Sequence, residues 1–293
     1  VAIVTRNRSY YFTDSRYTEA AARYVQGAEI RQTDREHPYS ALINEVIEKE
    51  HITRMGYEDE YMTAADFRRF SEKLHCELVP ATELLWTLRA VKDQAELECM
   101  IQAQRIAEKA LADILGEIRP GVTEKEIAAL LLYKMLHYGA EDKSFDPIVV
   151  SGPNGSLPHG IPGDRVLQEG DIVSVDVGAY FRGFHGDCAA TYPCGKISPE
   201  AQRLIDVTRQ SFFQGLKFAK QGNRISDISH AIQTYVESNG YSVVRDFVGH
   251  GVGAQLHEEP EVRNFGAPGH GPRMLKGMTL AIEPMVNQGA YDV

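Results

Sequence analysis

Hydrophobic and polar positions change rhythm once along this chain. Up to about Leu88, short apolar runs alternate with amphipathic stretches. Residues 1–5 and 10–13 read as strands, 16–25 and 41–50 as helices, and 52–57, 64–74 and 77–79 continue an α/β alternation. From Lys92 the period becomes helical. Leu97, Met100, Ile101, Ile106, Leu111, Ile114 and Leu115 form one stripe that runs to about Gly116. Pro120-Gly121 breaks this helix, and Thr123-x-x-Glu126 is the capping-box start of the next. That second helix runs to about Tyr138 and stops at Gly139, a natural residue beyond a helix C-terminus. Extended segments follow from 147 to 192. Ser198-Pro199 then supplies a cap and a first-turn proline for a helix to about Lys220, and after Gly222 a further helix spans about 227–240.

The two long helical pairs share their punctuation. A shift of 101 residues lays Gly121 on Gly222, Glu126 on Asp227, Ile127 on Ile228, Leu131 on Ile232 and Gly139 on Gly240. Generic helix punctuation would give such coincidences. So would an internally duplicated α+β domain, in which two helix pairs back a curved sheet and ligands gather at the seam.

Composition narrows the class. With 293 residues, 43% hydrophobic and 25% charged, the chain is a globular protein with room for two domains. A net charge of −10 argues against nucleic acid or an anionic membrane as the main partner, and suits acidic groups gathered around cations. Cys76, Cys99, Cys188 and Cys194 form no CxxC pair and read as reduced thiols of a cytoplasmic protein. No apolar run reaches the roughly 18 residues of a membrane span. The apolar opening from Val1 to Val4 reads as the middle of a domain, which implies a lost N-terminal segment.

The chemistry lies in isolated acids within apolar sequence. In the run from Asp171 to Gly178, Ile172, Ser174 and Asp176 share one strand face, and Val173, Val175 and Val177 share the other. A carboxylate among β-branched residues is unfavourable unless it is paired, hydrogen-bonded or bound to a cation. Asp187 follows eleven residues later, after an expected turn at Arg182-Gly183, so a hairpin brings the two carboxylates face to face. Like charges that close raise each other's pKa unless something positive lies between them. Read alone, Asp176 as a turn cap and Asp187 as a solvated acid serve equally well. Further along, Gly249-His250-Gly251 sets a histidine between glycines that permit close backbone approach. Leu280-Ala-Ile-Glu283-Pro284 again places a lone carboxylate in an apolar strand. Three such acids and one glycine-flanked histidine point to a divalent metal.

These residues carry a resemblance. Pro158-His-Gly-Ile-Pro162, Val175-Asp-Val with Gly183-Phe-His-Gly-Asp187, Phe247-Val-Gly-His-Gly251 with His257-Glu-Glu-Pro260, and Ala281-Ile-Glu-Pro-Met285 resemble the bacterial methionine aminopeptidases of the pita-bread metallopeptidase family. The resemblance implies a dinuclear aminopeptidase acting on peptide or nascent-protein N-termini through metal-activated water. It makes Asp176 a ligand of one metal, Asp187 a bridge, and His250 and Glu283 ligands of the other. His159 and His257 become groups touching the substrate amide and the tetrahedral intermediate, and Glu283 passes a proton to the leaving amine. One imidazole among carboxylates suits Mn²⁺, Fe²⁺ or Co²⁺, with Zn²⁺ also accommodated.

The front of the chain departs from that pattern. Tyr10-Tyr-Phe-Thr-Asp-Ser-Arg-Tyr17, Leu88-Arg-Ala-Val-Lys92 and the run from Ser144 to Asn154 resemble Xaa-Pro aminopeptidases and dipeptidases, in which a creatinase-type α/β domain comes first. The expected organisation is a partial creatinase-like domain at 1–87 and a pita-bread α+β catalytic domain at 88–293, with the two sister patterns meeting near Pro158-His159. Leu256 sits where the methionine branch often has an aromatic residue, which leaves methionine and Xaa-Pro preference both open. The family pattern also has a bridging glutamate about thirty residues beyond Glu283, so a chain ending at Val293 is expected to hold a second metal poorly and to be weakly active or inactive. Of the remaining histidines, His185 reads as site wall more readily than ligand, and His270 as a loop residue. His37, His51, His75, His137 and His230 read as structural or surface. Trp86, Tyr10, Tyr11, Tyr17 and Tyr24 are assigned to the first domain's packing. Two competing readings are a non-catalytic pita-bread peptide-binding or scaffold protein and a metal-free creatinase-like hydrolase, and an oligomer is compatible with each.

Overall fold

The computed structural model describes residues 1–293. They divide into two compact units, Val1–Leu85 and Trp86–Val293. The first unit has strands β1 (Ala2–Val4), β2 (Ser9–Asp14), β3 (Glu29–Thr33), β4 (Arg54–Tyr57) and β5 (Glu77–Pro80). Its helices are α1 (Thr18–Tyr24), α2 (Tyr39–Lys49) and α3 (Ala64–Ser71), and α4 (Thr82–Ala90) carries the chain across the division. β1 pairs antiparallel with β2, β2 parallel with β3, and β4 parallel with β5. Tyr10 and Phe12 on β2 pack with Leu42, Ile43, Val46 and Ile47 of α2 to form the core. The pattern reading missed β3 and α4. β3 is rich in polar residues and buries only Thr33, so its apolar signal is weak. Tyr10 belongs to this core as expected. Tyr17 and Tyr24 are exposed and Trp86 falls in the second unit, which corrects their assignment to first-domain packing.

The second unit begins with α5 (Gln94–Ile114) and α6 (Glu124–His137), continues through strands, and repeats the plan with α7 (Pro199–Leu216) and α8 (Ile225–Ser238). Asp93 and Thr123 head α5 and α6 in complete capping boxes, and Ser198 caps α7 ahead of Pro199. The strands are β6 (Asp142–Lys143), β7 (Ile148–Ser151), β8 (Ile172–Val177), β9 (Ala179–Phe181), β10 (Phe184–His185) and β11 (Cys188–Pro193), then β12 (Ser242–Val243), β13 (Gly249–Gly251), β14 (Glu258–Val262) and β15 (Val286–Asn287). No helix is long and apolar enough to cross a membrane.

The two halves are built alike in their hydrogen bonds. Gly121 N–H donates to Leu167 and Leu167 N–H returns to Val122, while Gly222 N–H donates to Met274 and Met274 N–H returns to Asn223. Gly121 and Gly222 both stand at positive φ, 96° and 92°. Generic helix punctuation would not reproduce these long-range pairs, so the offset of the two halves is a duplicated fold. Each half buries its own core. Ile106, Ile114, Ile127 and Leu131 pack on Val149, Val173, Val175 and Val177, and Ile228, Ile232 and Val236 pack on Val243 and Val262.

Candidate metal centre

β8 lies between β7 and β11, antiparallel to both. Val173, Val175 and Val177 are buried at 0–1% exposure, so Ile172, Ser174 and Asp176 occupy the other face, as the alternation requires. Ala189 is the partner of Asp176 and Cys188 that of Val177. Asp187, one residue before β11, therefore lies on the Asp176 face, a diagonal neighbour across the ladder. Cys188 faces away and packs half-buried against the core. Between β8 and β11 the chain makes the β9–β10 hairpin, turning at Arg182-Gly183, and returns close to its own start. A Cβ at Gly178 would stand 2.2 Å from the Gly186 carbonyl oxygen, so only glycine allows this closure. Asp187 is held from behind, its N–H donating to Gln104 Oε1 of α5 at 3.0 Å.

β13 brings His250 to the same place. It pairs with β14 on one side. On the other, Ala281 N–H donates to the His250 carbonyl at 2.8 Å and His250 N–H to the Ala281 carbonyl at 3.2 Å. A Cβ at Gly249 would meet the Ala281 carbonyl at 2.2 Å, which is why a glycine precedes the histidine. Glu283 follows two residues after Ala281. Its segment is not the strand expected from sequence: Leu280 makes one isolated bridge to Gly251, and Pro284 has no N–H with which to continue a ladder. The buried Asn264 supports this segment instead, donating from Nδ2 to the Glu283 carbonyl at 2.8 Å.

Asp187, His250 and Glu283 converge, their donor atoms all within 4.8 Å of one another. His250 Nε2 lies 3.5 Å from Asp187 Oδ2 and 3.3 Å from Glu283 Oε1. The other ring nitrogen fixes the tautomer. Nδ1 is 2.7 Å from the Gly251 carbonyl, which can only accept, so Nδ1 carries a proton. In the neutral ring Nε2 then presents a lone pair to two carboxylates, an arrangement that calls for a proton or a cation between them. Asp176 Oδ1 and Glu283 Oε1 are buried without any hydrogen-bond donor. Burial, with Asp187 and then Glu283 close by, pushes the Asp176 carboxyl up to about 8. Burial, followed by Asp187, pushes Glu283 up to about 7. For His250, burial opposes the charged form, but Asp187 as acceptor for a protonated Nε2, the Gly251 carbonyl and the charge of Glu283 together raise its pKa. Three acids and an imidazole short of positive charge, with orphaned buried oxygens, fit a hard or borderline divalent cation.

The other expected residues stand around this cluster. The His257 ring meets the His250 ring edge-on, centroids 4.4 Å apart. His159 makes an edge contact with Phe247 at 5.1 Å. Both His159 and His257 are on the exposed side. His185 packs on Tyr180 at 4.9 Å, its Nδ1 buried and unpartnered, so it lines the wall beside the acids. Sequence reasoning passed over Gln104, Asn264 and the pair Lys92–Glu258. Lys92 Nζ lies 2.9 Å from Glu258 Oε2, with both side chains at 1–2% exposure. Glu258 Oε1 also accepts the Gln255 N–H at 3.0 Å, bracing the turn that carries His257. A lysine that opens a helical stretch gives no sequence signal of a buried partner 166 residues away.

Residues 98–292 match metallopeptidase family M24, and residues 1–91 match the creatinase/prolidase N-terminal domain. The chain is 45% identical over 208 residues to the methionine aminopeptidase of Clostridium perfringens, a span covering 69% of this chain and 84% of that protein. Against the uncharacterized peptidase YqhT of Bacillus subtilis it is 31% identical over 290 residues, 97% of this chain and 79% of the other. Among solved structures, the X-Pro aminopeptidase of Thermotoga maritima superposes with a TM-score of 0.85 at 28% identity, covering 96% of this chain and 79% of that one.

Proposed function

The chain belongs to metallopeptidase family M24, and on that basis we propose that it is a divalent-metal-dependent aminopeptidase releasing the first residue of a peptide. The observation that carries this reading is His250 Nε2 facing Asp187 and Glu283, beside an Asp176 whose Oδ1 is buried without a hydrogen-bond donor. Asp176, Asp187, His250 and Glu283 would hold divalent metal of the Mn²⁺, Co²⁺ or Fe²⁺ type, with Zn²⁺ also accommodated. When bound, such metals polarise a scissile carbonyl and lower the pKa of water from 15.7 to about 7.

The remaining work falls to the chain's own residues. Glu283 takes a proton from the attacking water and hands it to the leaving amine. His159 and His257, on the exposed side, meet the substrate amide and the oxygen on which negative charge develops. The free α-amine is received beside Asp176, which restricts the reaction to N-terminal residues. The domain division we assign is a creatinase-type domain at 1–87 and the catalytic domain at 88–293. Four free thiols suit a cytoplasmic, reducing setting.

Methionine preference is the leading reading, supported by the 45% identity of the metal-bearing part to a methionine aminopeptidase. An Xaa-Pro preference is favoured by the creatinase/prolidase match at 1–91. The test offers Met-Ala-Ser and Ala-Pro-Ala side by side to protein supplied with Mn²⁺ or Co²⁺. Release of methionine alone supports the first reading and release of alanine alone the second. Metal binding without release from either peptide would favour a non-catalytic peptide-binding role.

A further inference from the structure

The loop that carries His159 is tied at both ends by one buried carboxylate. Glu124, the first residue of α6, is 0% exposed, a rare position for an acid. Its Oε1 accepts the N–H of Ser151 at 2.8 Å and the Ser151 hydroxyl at 2.7 Å. Its Oε2 accepts the N–H of Gly163 at 3.2 Å, and the Asn154 amide lies 3.3 Å from both oxygens. Ser151 and Asn154 precede His159, and Gly163 follows it. Arg165 reinforces the knot, donating from Nη1 to the Ser151 hydroxyl at 2.5 Å while pairing with Asp171 at 2.6 and 3.0 Å.

The second half of the duplicated unit provides the contrast. There Ile225 occupies the place of Glu124 at the head of the helix. The matching loop is tied by side chains nearer the surface, with Gly269 N–H donating to Asp227 and His270 N–H to Ser226. At the head of the helix, a buried acid ties the loop in the half that bears His159 and not in the other. Charge-assisted bonds of this kind are stronger than neutral ones and fix geometry.

We propose that Glu124 is a positioning residue for the aminopeptidase reaction, holding the 151–163 loop so that His159 meets the substrate amide. This rests on the role given to His159 above. The test is a double-mutant cycle: kcat and KM on Met-Ala-Ser for the wild type, Glu124→Gln, His159→Ala and the double variant, with Mn²⁺ present and thermal melts alongside. Glu124→Gln keeps the shape but replaces an accepting oxygen with a donor facing the Gly163 N–H. It is expected to lower kcat by about 10- to 100-fold, the range for a catalytic group displaced by about an ångström, with little change in KM. In the His159→Ala background the same substitution should lower kcat by no more than about twofold, since the two losses are one loss. Should Glu124→Gln not fold, Asn154→Ala takes its place in the cycle, releasing only one end of the loop and giving a smaller loss of the same kind. Losses that multiply would overturn the proposal and leave the role of His159 standing. Full activity in His159→Ala would overturn both.

Discussion

His250 Nε2 stands 3.3 Å from Glu283 Oε1, and the Nδ1 proton, committed to the Gly251 carbonyl at 2.7 Å, cannot serve that contact. A lone pair and a carboxylate oxygen at this distance repel unless a cation or proton joins them. Nearby Asp176 and Asp187 make the second solution, a single proton, insufficient for the whole cluster.

Removing one central acid should therefore remove the metal. Asp187→Ala is expected to abolish tight Mn²⁺ binding and to lower kcat/KM by about 10³-fold or more, equivalent to several kcal/mol of lost transition-state stabilisation. Calorimetric titration of Mn²⁺ together with a peptide assay measures both. Retained full activity would support metal-free hydrolysis instead.

The metal-free protein is expected to lose stability as pH rises. Asp176 and Glu283 have pKa values raised to about 8 and about 7 from ordinary values of 3.8 and 4.5. Between those limits the folded chain binds more protons than the unfolded one, so these two groups make stability fall as pH rises. Metal reverses the sign, because it requires the deprotonated oxygens. In the presence of a chelator, the wild type should melt lower at pH 8 than at pH 5 relative to Asp176→Asn, and Mn²⁺ should raise the wild-type Tm more at pH 8. A metal-free wild type that gains stability over Asp176→Asn between pH 5 and 8 would contradict this.

Much of this site is legible in the sequence because the acids break a local pattern. Asp176 interrupts a valine run, and His250 lies between two glycines. The turn at Arg182-Gly183 sets Asp187 on the Asp176 face of the ladder. The helix starts at Thr123 and Ser198 obey capping rules that act within four residues. What escaped depends on distant partners. Neither the Asn264 bond to the Glu283 carbonyl nor the support of Asp187 by Gln104 has a local signature. β3 escapes because its residues are mostly polar, and the Glu283 segment pairs with β13 through Ala281 and no further, since Pro284 has no N–H with which to continue the ladder.

The Lys92–Glu258 pair is expected to matter for stability. With both side chains at 1–2% exposure, Lys92→Met leaves a buried carboxylate without its counter-charge, at a cost of about 3–5 kcal/mol. Replacing Glu258 by Gln in the same protein should recover a large part of that loss. Urea unfolding of the single and double variants reads the difference, and a loss under about 1 kcal/mol for Lys92→Met would show that Arg89, 3.9 Å from Glu258, suffices as counter-charge.

Close backbone packing beside His250 makes another prediction. Gly249→Ala would place a methyl 2.2 Å from the Ala281 carbonyl oxygen and force β13 away from the Glu283 segment. Stability should drop by about 1–3 kcal/mol, and Mn²⁺ affinity should weaken by at least about tenfold, as for disturbed support of a metal site. Unchanged affinity would mean that the cluster does not depend on this pairing.

The central claim is a metal centre on Asp176, Asp187, His250 and Glu283, and Co²⁺ reads it directly through its visible absorption. Titrating Co²⁺ into metal-free protein should give a saturable d–d spectrum that is lost in both His250→Ala and Asp187→Ala. Absence of a saturable spectrum in the wild type, or one unchanged by both substitutions, would contradict the account.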